Sequence, residues 1–568
     1  MRRAVTEIIA SGPEAQTDPP PALLRGGTRD LTLRRVAPKG SPVEAVVVMT
    51  SQDATEPIAQ RVQSWLDTYA APDADAAWLL CDRHPRESVA LTFVADDLSA
   101  TALTYGELAD RSARLANTLR ARGVGRGDRV GVLLDKQPGL PVAILALWRL
   151  GAVHVPLFTA FARGAIETRT QKSGARILIT EESQRSKAEG IANLEILDLA
   201  DLERTAQDAE PFTERIAVGG DGQLIEIFTS GTTGSPKGVP VPLRILAAIE
   251  SYLRFSLDLH EDDVYFNAAD PGWAYGLYFG LLGPLATGCG ALMTTGGFTP
   301  TGAAEVMRRF SVTNFAGAPT MYRAMRSSDI SPPLHLRRAS SAGEPLNPDL
   351  IQFGVEALGC EIRDQYGQTE LAMVAGNHWH PDVARPVAPS SMGQALPGFT
   401  LGIVDGQLAV NVAQSPLMWF TGYADDPERS AERFTPDRQW YLTSDLAQVD
   451  AQGNYSFSSR NDDVILAAGY RIGPTDVESV IVTHPAVAEV AVVGRPDPTG
   501  VRGEQVEAFV VLESGHEPGP ALEAELAELV RTTYSKHAYP RRVHFVEALP
   551  KTPSGKVQRF LLRENDPS

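Results

Sequence analysis

The sequence has little cysteine, with 3 in 568 residues. Cys81, Cys289 and Cys360 lie far apart, and none of them has the C-x-x-C spacing of a redox motif or a zinc ribbon. Such a set cannot build the disulfide framework on which small secreted proteins depend. We therefore expect a protein of a reducing compartment, and the cytoplasm fits best.

Positive charge is also scarce, because 52 Lys and Arg stand against 70 Asp and Glu, for a net charge of -18. This balance argues against nucleic-acid or anionic-membrane binding, since both need a basic surface. The longest apolar run, residues 142–158, contains Arg149, Gly151 and Pro156. A membrane span needs about 20 clean apolar residues, so we predict a buried helix and strand instead. The N-terminus lacks the apolar core of a secretory signal.

The chain length favours two or more domains. Residues 1–48 are rich in Pro, Gly and Arg with little periodicity, which predicts a disordered extension; alternatively, translation starts at Met49. Further on, Thr104 and Glu107 form a capping box before an amphipathic helix, and helical and strand patterns then alternate. This alternation predicts an α/β fold with parallel βαβ-type sheets packed with helices, in a large N-terminal domain at residues 49–461.

The pattern changes after Asp462. A helical segment near residues 475–482 and apolar strands near 487–493 and 506–511 form their own sequence of elements. The remaining length is near the lower range for an independent unit. We therefore predict a small, mobile α+β C-terminal domain at residues 462–568.

The strongest single motif is the segment Phe-Thr-Ser-Gly-Thr-Thr-Gly-Ser-Pro-Lys-Gly at residues 228–238, directly after an apolar strand. Glycines and hydroxyls in such a loop can surround a polyphosphate with N–H and O–H donors, and Lys237 adds positive charge. The loop is not a Walker A motif, because Pro236 and Gly238 replace the glycine and the Mg²⁺-binding hydroxyl of that motif. A flexible Gly/Ser/Thr linker is the alternative interpretation.

This loop resembles the phosphate-binding signature of the adenylate-forming (AMP-binding) superfamily, which includes acyl-CoA synthetases of the acetyl/medium-chain type, peptide-synthetase adenylation domains and luciferases. Six motifs in the family's order are far more specific than one. Besides the loop, the segments that resemble family motifs are 341–345 (adenine), 364–370 (α-phosphate and Mg²⁺), 441–445 (ribose), 459–473 (ribose arginine and hinge) and 550–556 (catalytic lysine).

The resemblance implies roles for individual residues. Thr369, Glu370 and Lys556 would be catalytic, with Thr369 at the α-phosphate, Glu370 as the protein ligand of Mg²⁺ and Lys556 neutralising charge during adenylation. Asp445 would bind both ribose hydroxyls, and Asp462 would be the hinge between the domains. The implied ATP- or AMP-binding residues are Thr229, Ser230, Gly231, Thr232, Thr233, Gly234, Lys237, Gly343, Glu344, Pro345, Asp364, Gln365, Tyr366, Gly367, Thr369, Asp445, Arg460 and Arg471.

The resemblance also implies where the acid and CoA bind. Acetate-specific relatives have the motif W-W-Q-T-E, whose second tryptophan forms the floor of the acyl pocket. Gly367 occupies that position here, which predicts a deeper pocket and an acid longer than acetate. The other implied positions are the acyl-pocket wall, formed by Trp273, Tyr275 and Gly276, and the CoA tunnel, formed by Ala468 and Gly469.

The implied reaction has two halves. A short- to medium-chain carboxylic acid attacks the α-phosphate of ATP, diphosphate leaves, the C-terminal domain rotates, and the thiol of CoA takes the acyl group. The reaction would require ATP, Mg²⁺ and CoA as co-substrate, and it would belong to fatty acid metabolism. Two alternatives stay open, namely a stand-alone adenylation enzyme that loads a carrier-protein phosphopantetheine and an inactive nucleotide-binding protein.

Overall fold

The computed structural model describes residues 57–229, 236–328, 330–388, 390–460, 463, 465–467, 470–497, 504–535, 538–552 and 557–564. The predicted extension, residues 1–48, lies outside this set, and its state stays a prediction.

The strands lie between Val89 and Phe545. The first twelve are β1 (Val89–Val94), β2 (Ala100–Thr104), β3 (Arg129–Leu133), β4 (Val153–Pro156), β5 (Ile177–Thr180), β6 (Glu195–Asp198), β7 (Gln223–Thr229), β8 (Lys237–Pro242), β9 (Tyr265–Asn267), β10 (Ala291–Thr294), β11 (Asn314–Gly317) and β12 (Arg338–Ala342). The others are β13 (Ile362–Gln368), β14 (Ala372–Gly376), β15 (Gln394–Ala395), β16 (Leu401–Val404), β17 (Gln407–Asn411), β18 (Trp440–Val449), β19 (Tyr455–Arg460), β20 (Ile465–Ala467), β21 (Tyr470–Ile472), β22 (Val487–Pro496), β23 (Glu504–Leu512) and β24 (Arg542–Phe545).

Helices alternate with these strands. They are α1 (Ile58–Tyr69), α2 (Tyr105–Ala121), α3 (Gly139–Arg149), α4 (Arg163–Ser173), α5 (Glu182–Arg185), α6 (Leu199–Gln207), α7 (Ile245–Ser251), α8 (Gly283–Thr287), α9 (Pro300–Arg309), α10 (Pro319–Arg326), α11 (Pro348–Phe353), α12 (Pro427–Ala431), α13 (Pro474–Ile481), α14 (Pro520–Thr533) and α15 (Arg559–Glu564). Wider π-helical turns occupy Trp78–Asp82, Tyr252–Ser256, Gly276–Leu282 and Gly354–Leu358.

Two large sheets organise the first part of the chain. The nine-stranded sheet has the order β15-β14-β13-β12-β11-β9-β10-β1-β2, and the six-stranded sheet has the order β6-β5-β3-β4-β7-β8. The pairs from β13 to β1 are parallel, whereas β14, β15 and β2 pair antiparallel at the edges. In the six-stranded sheet only β7 and β8 pair antiparallel. The predicted α/β fold class is confirmed.

The long apolar run of the sequence forms α3 and β4. The helix is buried from Gly139 to Trp148, and every residue of the strand is buried. The indole N–H of Trp148 donates to the carbonyl of Leu224 over 3.0 Å, which ties the helix to β7. Arg149 pairs with Asp82 at 2.6 Å. The run is therefore core, as predicted, and in the described ranges no helix is long and apolar enough to cross a bilayer.

The capping box at the start of α2 is also confirmed. The backbone N–H of Glu107 donates to the hydroxyl of Thr104 over 3.2 Å, and the N–H of Thr104 donates to the carboxylate of Glu107 over 2.9 Å. These reciprocal bonds satisfy donors that a helix N-terminus otherwise leaves unpaired. Leu108, Leu115 and Leu119 are buried along one face, as their spacing predicts.

The last part of the chain has separate sheets. Strands β16 to β19 form an antiparallel sheet, β20 and β21 form a hairpin, and β22 to β24 form a three-stranded sheet. Val477 of α13, Val492 of β22 and Leu526 of α14 share one apolar cluster, which holds no residue before Ile465. The elements after Asp462 thus have a core of their own, and the domain boundary at that residue stays a prediction.

Candidate active site

The predicted ribose-binding carboxylate, Asp445, lies on β18 and is oriented by β13. The hydroxyl of Tyr366 donates to Oδ2 of Asp445, and Nε2 of Gln368 donates to the same oxygen over 2.7 Å. Asp445 is only 5% exposed, so these donors replace much of its hydration. Burial, together with this carboxylate, raises the pKa of Tyr366 and keeps the phenol a donor. The result is a fixed acceptor beside the predicted nucleotide motif.

Gln368 is the link between several parts of this site. Its Nε2 donates to the carbonyl of Thr443 over 2.8 Å, and its Oε1 accepts from the hydroxyl of Tyr441 at 3.0 Å and from the guanidinium of Arg433 at 3.1 Å. A side-chain amide can make these bonds in both directions at once. Neither Gln368 nor Arg433 is among the site residues predicted from the sequence. Gln368 stood inside a family motif, whereas Arg433 had no sequence signal.

Glu370 is held on the other side of the same motif. It is 7% exposed, and its Oε1 accepts a hydrogen bond of 2.8 Å from the hydroxyl of Tyr423. The ammonium of Lys237 lies over the ring of Tyr423, 4.9 Å from its centroid. Burial, followed by the charges of Arg433 and Arg429, lowers the pKa of Lys237. Tyr423, which no sequence motif predicts, thus contacts both the predicted Mg²⁺ ligand and the phosphate-loop lysine.

The two ends of the phosphate loop are paired in the six-stranded sheet. Thr229 of β7 lies opposite Lys237 of β8 in antiparallel register. The phosphate-loop motif therefore begins and ends in paired strands at the edge of this sheet. Thr369 follows β13, and its carbonyl accepts from the hydroxyl of Tyr278 over 3.3 Å.

The predicted adenine stretch contains a close ring contact. Gly343 has φ +101°, and a Cβ on it would lie 3.3 Å from the indole of Trp273. A residue without a side chain therefore lets the ring approach the backbone. The carboxylate of Glu344 accepts from Arg323 at 2.5 Å and from Thr320 at 2.8 Å. Pro345, which follows it, has no backbone N–H to donate.

Asp364 and Gln365 are neighbours on β13 with different surroundings. Burial raises the pKa of Asp364 to about 8, despite donation from the backbone of Gln365 and Leu346. Among the described residues, Oδ1 of Asp364 and Nε2 of Gln365 have no hydrogen-bond partner. The Oε1 of Gln365 accepts from the hydroxyl of Tyr252. Burial therefore favours the neutral form of the Asp364 carboxyl.

The predicted acyl-pocket wall is a cluster of aromatic rings. The rings of Trp273 and Tyr275 lie 5.8 Å apart, and the hydroxyls of Tyr275 and Tyr252 lie 3.4 Å apart. A Cβ on Gly276 would lie 2.2 Å from the carbonyl of Asp270, so close backbone approach requires the glycine there. The structure brings these residues together on one side of the adenine stretch.

The geometry at Gly367 shows what lies where a side chain at the predicted pocket floor would begin. A Cβ at this position would lie 2.1 Å from the carbonyl oxygen of Ala372 and 2.8 Å from Sδ of Met373. Gly367 pairs with Met373 across β13 and β14, where a register shift disturbs the ladder. This close approach requires a glycine, and the side chain of Met373 occupies the space into which a larger residue at position 367 would extend. The sequence could not indicate this, because the contact depends on strand register.

Other predicted site residues lie outside the described residues or are described only in part. Arg460 lies opposite Asp445 in the register of β18 and β19, and for Arg460 and Arg471 only the backbone is described. The positions outside are Ser230, Gly231, Thr232, Thr233, Gly234, Asp462, Ala468, Gly469 and Lys556.

The arrangement can hold a nucleotide and one hard cation. Asp445 offers a carboxylate to a diol, and Glu370 offers a single carboxylate close to the phosphate loop. In the part of the chain that the structure describes, no three His, Cys, Asp or Glu side chains are grouped as a metal cage. A lone carboxylate fits Mg²⁺, which usually takes one or two protein ligands together with substrate phosphates.

Two parts of the chain match known protein families. Residues 79–414 match the family described as AMP-binding enzyme, and residues 476–556 match the AMP-binding enzyme C-terminal domain. Among curated proteins, the chain is 33% identical over 535 residues to acetyl-coenzyme A synthetase of Bacillus subtilis, with 86% of this chain and 90% of the relative covered. It is 35% identical over 505 residues to the mitochondrial acyl-coenzyme A synthetase ACSM3 of Rattus norvegicus, with 82% and 84% covered.

Solved structures agree with these matches. An acyl-CoA synthetase of Brucella canis is 41% identical, with a TM-score of 0.69 and coverage of 90% of this chain and 97% of that protein. ATP-bound MatB of Rhodopseudomonas palustris is 27% identical, with a TM-score of 0.76 and coverage of 86% and 98%. The similarity therefore extends across both matched parts of the chain.

Proposed function

The chain belongs to the AMP-binding enzyme family, as an AMP-forming acyl-CoA synthetase, and from this premise we propose that it activates a short- to medium-chain acid longer than acetate. The reaction converts ATP, the carboxylic acid and CoA into acyl-CoA, AMP and diphosphate through an acyl-adenylate. We further propose that it works in the cytoplasm, in fatty acid metabolism, and that it requires Mg²⁺.

The observation that carries the proposed activation with ATP is the pair of buried carboxylates held beside the β13 motif. Asp445 receives donors from Tyr366 and Gln368, and Glu370 receives the hydroxyl of Tyr423. This arrangement supports the proposal that Asp445 binds the ribose diol and that Glu370 acts at the charged end of the same nucleotide. Carboxylates oriented in advance bind without reorganisation at the moment of reaction.

We propose the following roles in adenylation. Asp445 holds the ribose, Lys237 attracts the phosphates, and Thr369 donates to the α-phosphate. Mg²⁺, when bound at Glu370, would neutralise phosphate charge. Lys556 contacts the acid carboxylate and the α-phosphate as the new bond forms, because two anions approach one another at that step.

The second half of the reaction involves the last part of the chain. We propose that residues 462–568 form the mobile domain, that Asp462 is its hinge, and that CoA enters beside Ala468 and Gly469. Rotation would remove Lys556 from the acyl-adenylate once diphosphate has left. The thiol of CoA would then attack the acyl carbon, with AMP as the leaving group.

The test is a substrate screen with separated half-reactions. Acid-dependent exchange of labelled diphosphate into ATP should occur without CoA, and acyl-CoA should form when CoA is added. A product that forms only on a phosphopantetheinylated carrier protein, and not on CoA, would favour the carrier-loading alternative. Nucleotide binding without diphosphate exchange for any acid would favour the inactive nucleotide-binding protein.

Chain length gives a separate prediction that depends on Met373. This side chain, 6% exposed, takes the space beside Gly367, and methionine adapts its shape to neighbours more easily than tryptophan does. We expect kcat/KM to rise from acetate upward by roughly fourfold per methylene, the equivalent of about 0.8 kcal/mol, until the pocket ends. Met373→Ala should move the best substrate to a longer acid.

The matched control is Met325→Ala, because Met325 is equally apolar and buried but belongs to a different apolar cluster. It should lower the thermal stability and leave the chain-length profile unchanged. A wild-type enzyme that is fastest with acetate would contradict the proposed substrate. An unchanged profile in folded Met373→Ala would show that Met373 does not face the acyl chain.

A further inference from the structure

Four charged side chains join three separate segments of the last part of the chain. Arg563 donates to Oδ1 of Asp463 over 2.7 Å, and Arg559 lies 3.6 Å from Oδ2 of the same carboxylate. Arg559 also donates to both carboxylate oxygens of Glu478, each over 2.8 Å. We call Asp463, Glu478, Arg559 and Arg563 the ionic clasp.

The ionic clasp joins segments that lie next to the predicted hinge and the predicted catalytic lysine. Asp463 directly follows the predicted hinge, Asp462, whereas Arg559 and Arg563 lie on α15, shortly after the predicted catalytic residue Lys556. Glu478 lies on α13, and its carboxylate also accepts the backbone N–H of Val492 on β22 over 2.7 Å. The clasp therefore fixes α15 to both the hinge side and the sheet of the last part of the chain.

The clasp differs from an ordinary surface ion pair in its burial. The side chains of Asp463 and Glu478 are 15% and 14% exposed, and that of Arg559 is 22% exposed. Burial acts to lower the pKa of Arg559, but the carboxylates of Glu478 and Asp463 outweigh it and raise the pKa. Breaking one partner of a buried network leaves the others unpaired, which is costly, whereas an exposed pair contributes little.

The clasp also lies within electrostatic reach of the predicted adenine stretch. The carboxylate of Glu344 contributes to the raised pKa of Arg559. Glu344 is itself held by Arg323 of α10 at 2.5 Å and by Thr320 at 2.8 Å. A negative charge of the predicted adenine stretch, held in place by α10, therefore acts on Arg559.

We infer that the ionic clasp makes Asp463, next to the predicted hinge, and α15, the helix after Lys556, move as one body. The four residues of the clasp are then positioning residues for Lys556. This inference rests on the proposed function, in which Lys556 acts during adenylation and leaves before thiolysis. A lysine delivered by domain rotation needs a rigid support, because a misplacement of about 1 Å can cost up to roughly a hundredfold in rate. The clasp supplies that support through charge and burial.

The test compares Arg563→Gln with Arg531→Gln. Both arginines lie in the last part of the chain and pair with a carboxylate, but the pair of Arg531 with Glu528 is 51% exposed on both sides. Arg563→Gln should slow adenylation by roughly tenfold with the KM for ATP nearly unchanged, because the reacting geometry and not the binding is altered. Thiolysis of supplied acyl-adenylate should fall much less. Arg563→Lys should recover most of the loss, and Arg531→Gln should behave as wild type.

Hydrogen exchange gives a readout that does not depend on activity. In Arg563→Gln the amides of α15 should exchange faster than in wild type, whereas Arg531→Gln should leave them unchanged. If the amides of α15 exchanged in Arg563→Gln as in wild type, the clasp would not hold this helix. If they exchanged faster but adenylation kept its wild-type rate, the clasp would not position Lys556. If wild-type protein formed no acyl-adenylate with any acid, the proposed function would fail, and the exchange comparison would still decide whether the clasp holds α15.

Discussion

Replacing Lys556 with alanine is expected to lower the rate of acyl-adenylate formation by about 10² or more, the scale seen when a contact to developing transition-state charge is lost. Thiolysis of supplied acyl-adenylate should survive, because the proposed lysine has left the reacting groups before CoA attacks. Diphosphate exchange measures the first half-reaction, and acyl-CoA formation from synthetic acyl-adenylate measures the second.

The control for this experiment comes from the same segment. Lys551 pairs with Glu489 of β22 at 2.6 Å, so its ammonium group has a structural partner of its own. Lys551→Ala should therefore leave the ratio of the two half-reactions as in wild type. An equal fall of both half-reactions in folded Lys556→Ala would mean that the lysine does not alternate between two positions.

The second large effect is expected at Glu370. Glu370→Gln keeps the shape and the acceptor for the hydroxyl of Tyr423, but it removes the negative charge proposed to hold Mg²⁺. We expect diphosphate exchange to fall by about 10², because the ion's charge stabilisation of the phosphates is worth several kcal/mol. The concentration of Mg²⁺ needed for half-maximal exchange should rise at the same time.

Tyr423→Phe separates charge from orientation at this position. It removes the hydrogen bond of 2.8 Å to Glu370 and keeps the ring beneath Lys237. The loss should be roughly tenfold, the low end of the range for one hydrogen bond to a charged group, because the carboxylate itself remains. If Glu370→Gln reduced exchange without any change in its Mg²⁺ dependence, Glu370 would act on the substrate directly and the proposed metal role would be wrong.

Much of the fold followed from local patterns. The capping box at Thr104 and Glu107, the apolar run that forms α3 and β4, and the alternation of strands and helices all depend on neighbours close in the chain. Such signals act over one or two turns or along one strand, so they can be recognised without knowing what packs against them. The same holds for the family motifs, whose glycines and hydroxyls stand at short, fixed spacings.

The residues that orient the site could not be predicted in this way. Gln368 reaches Asp445 and Arg433 only because β13 and β18 bring residues from distant parts of the chain together. Tyr423 reaches Glu370 in the same manner. No sequence pattern could reveal these pairs of residues, because the contacts depend on how separate strands and loops pack.

The α/β class, the family and the chemical types of the site residues could be derived from the sequence, because these depend on composition and short motifs. The surroundings of Gly367 became visible only in the folded chain. Its missing side chain suggested an open pocket floor, yet the carbonyl of Ala372 and the sulfur of Met373 lie where a Cβ would be. The ionic clasp was likewise decided by packing, since Asp463 and Arg563 are distant in the chain and 2.7 Å apart in space. Close packing of backbone and side chains is set by the whole fold, and no local pattern contains it.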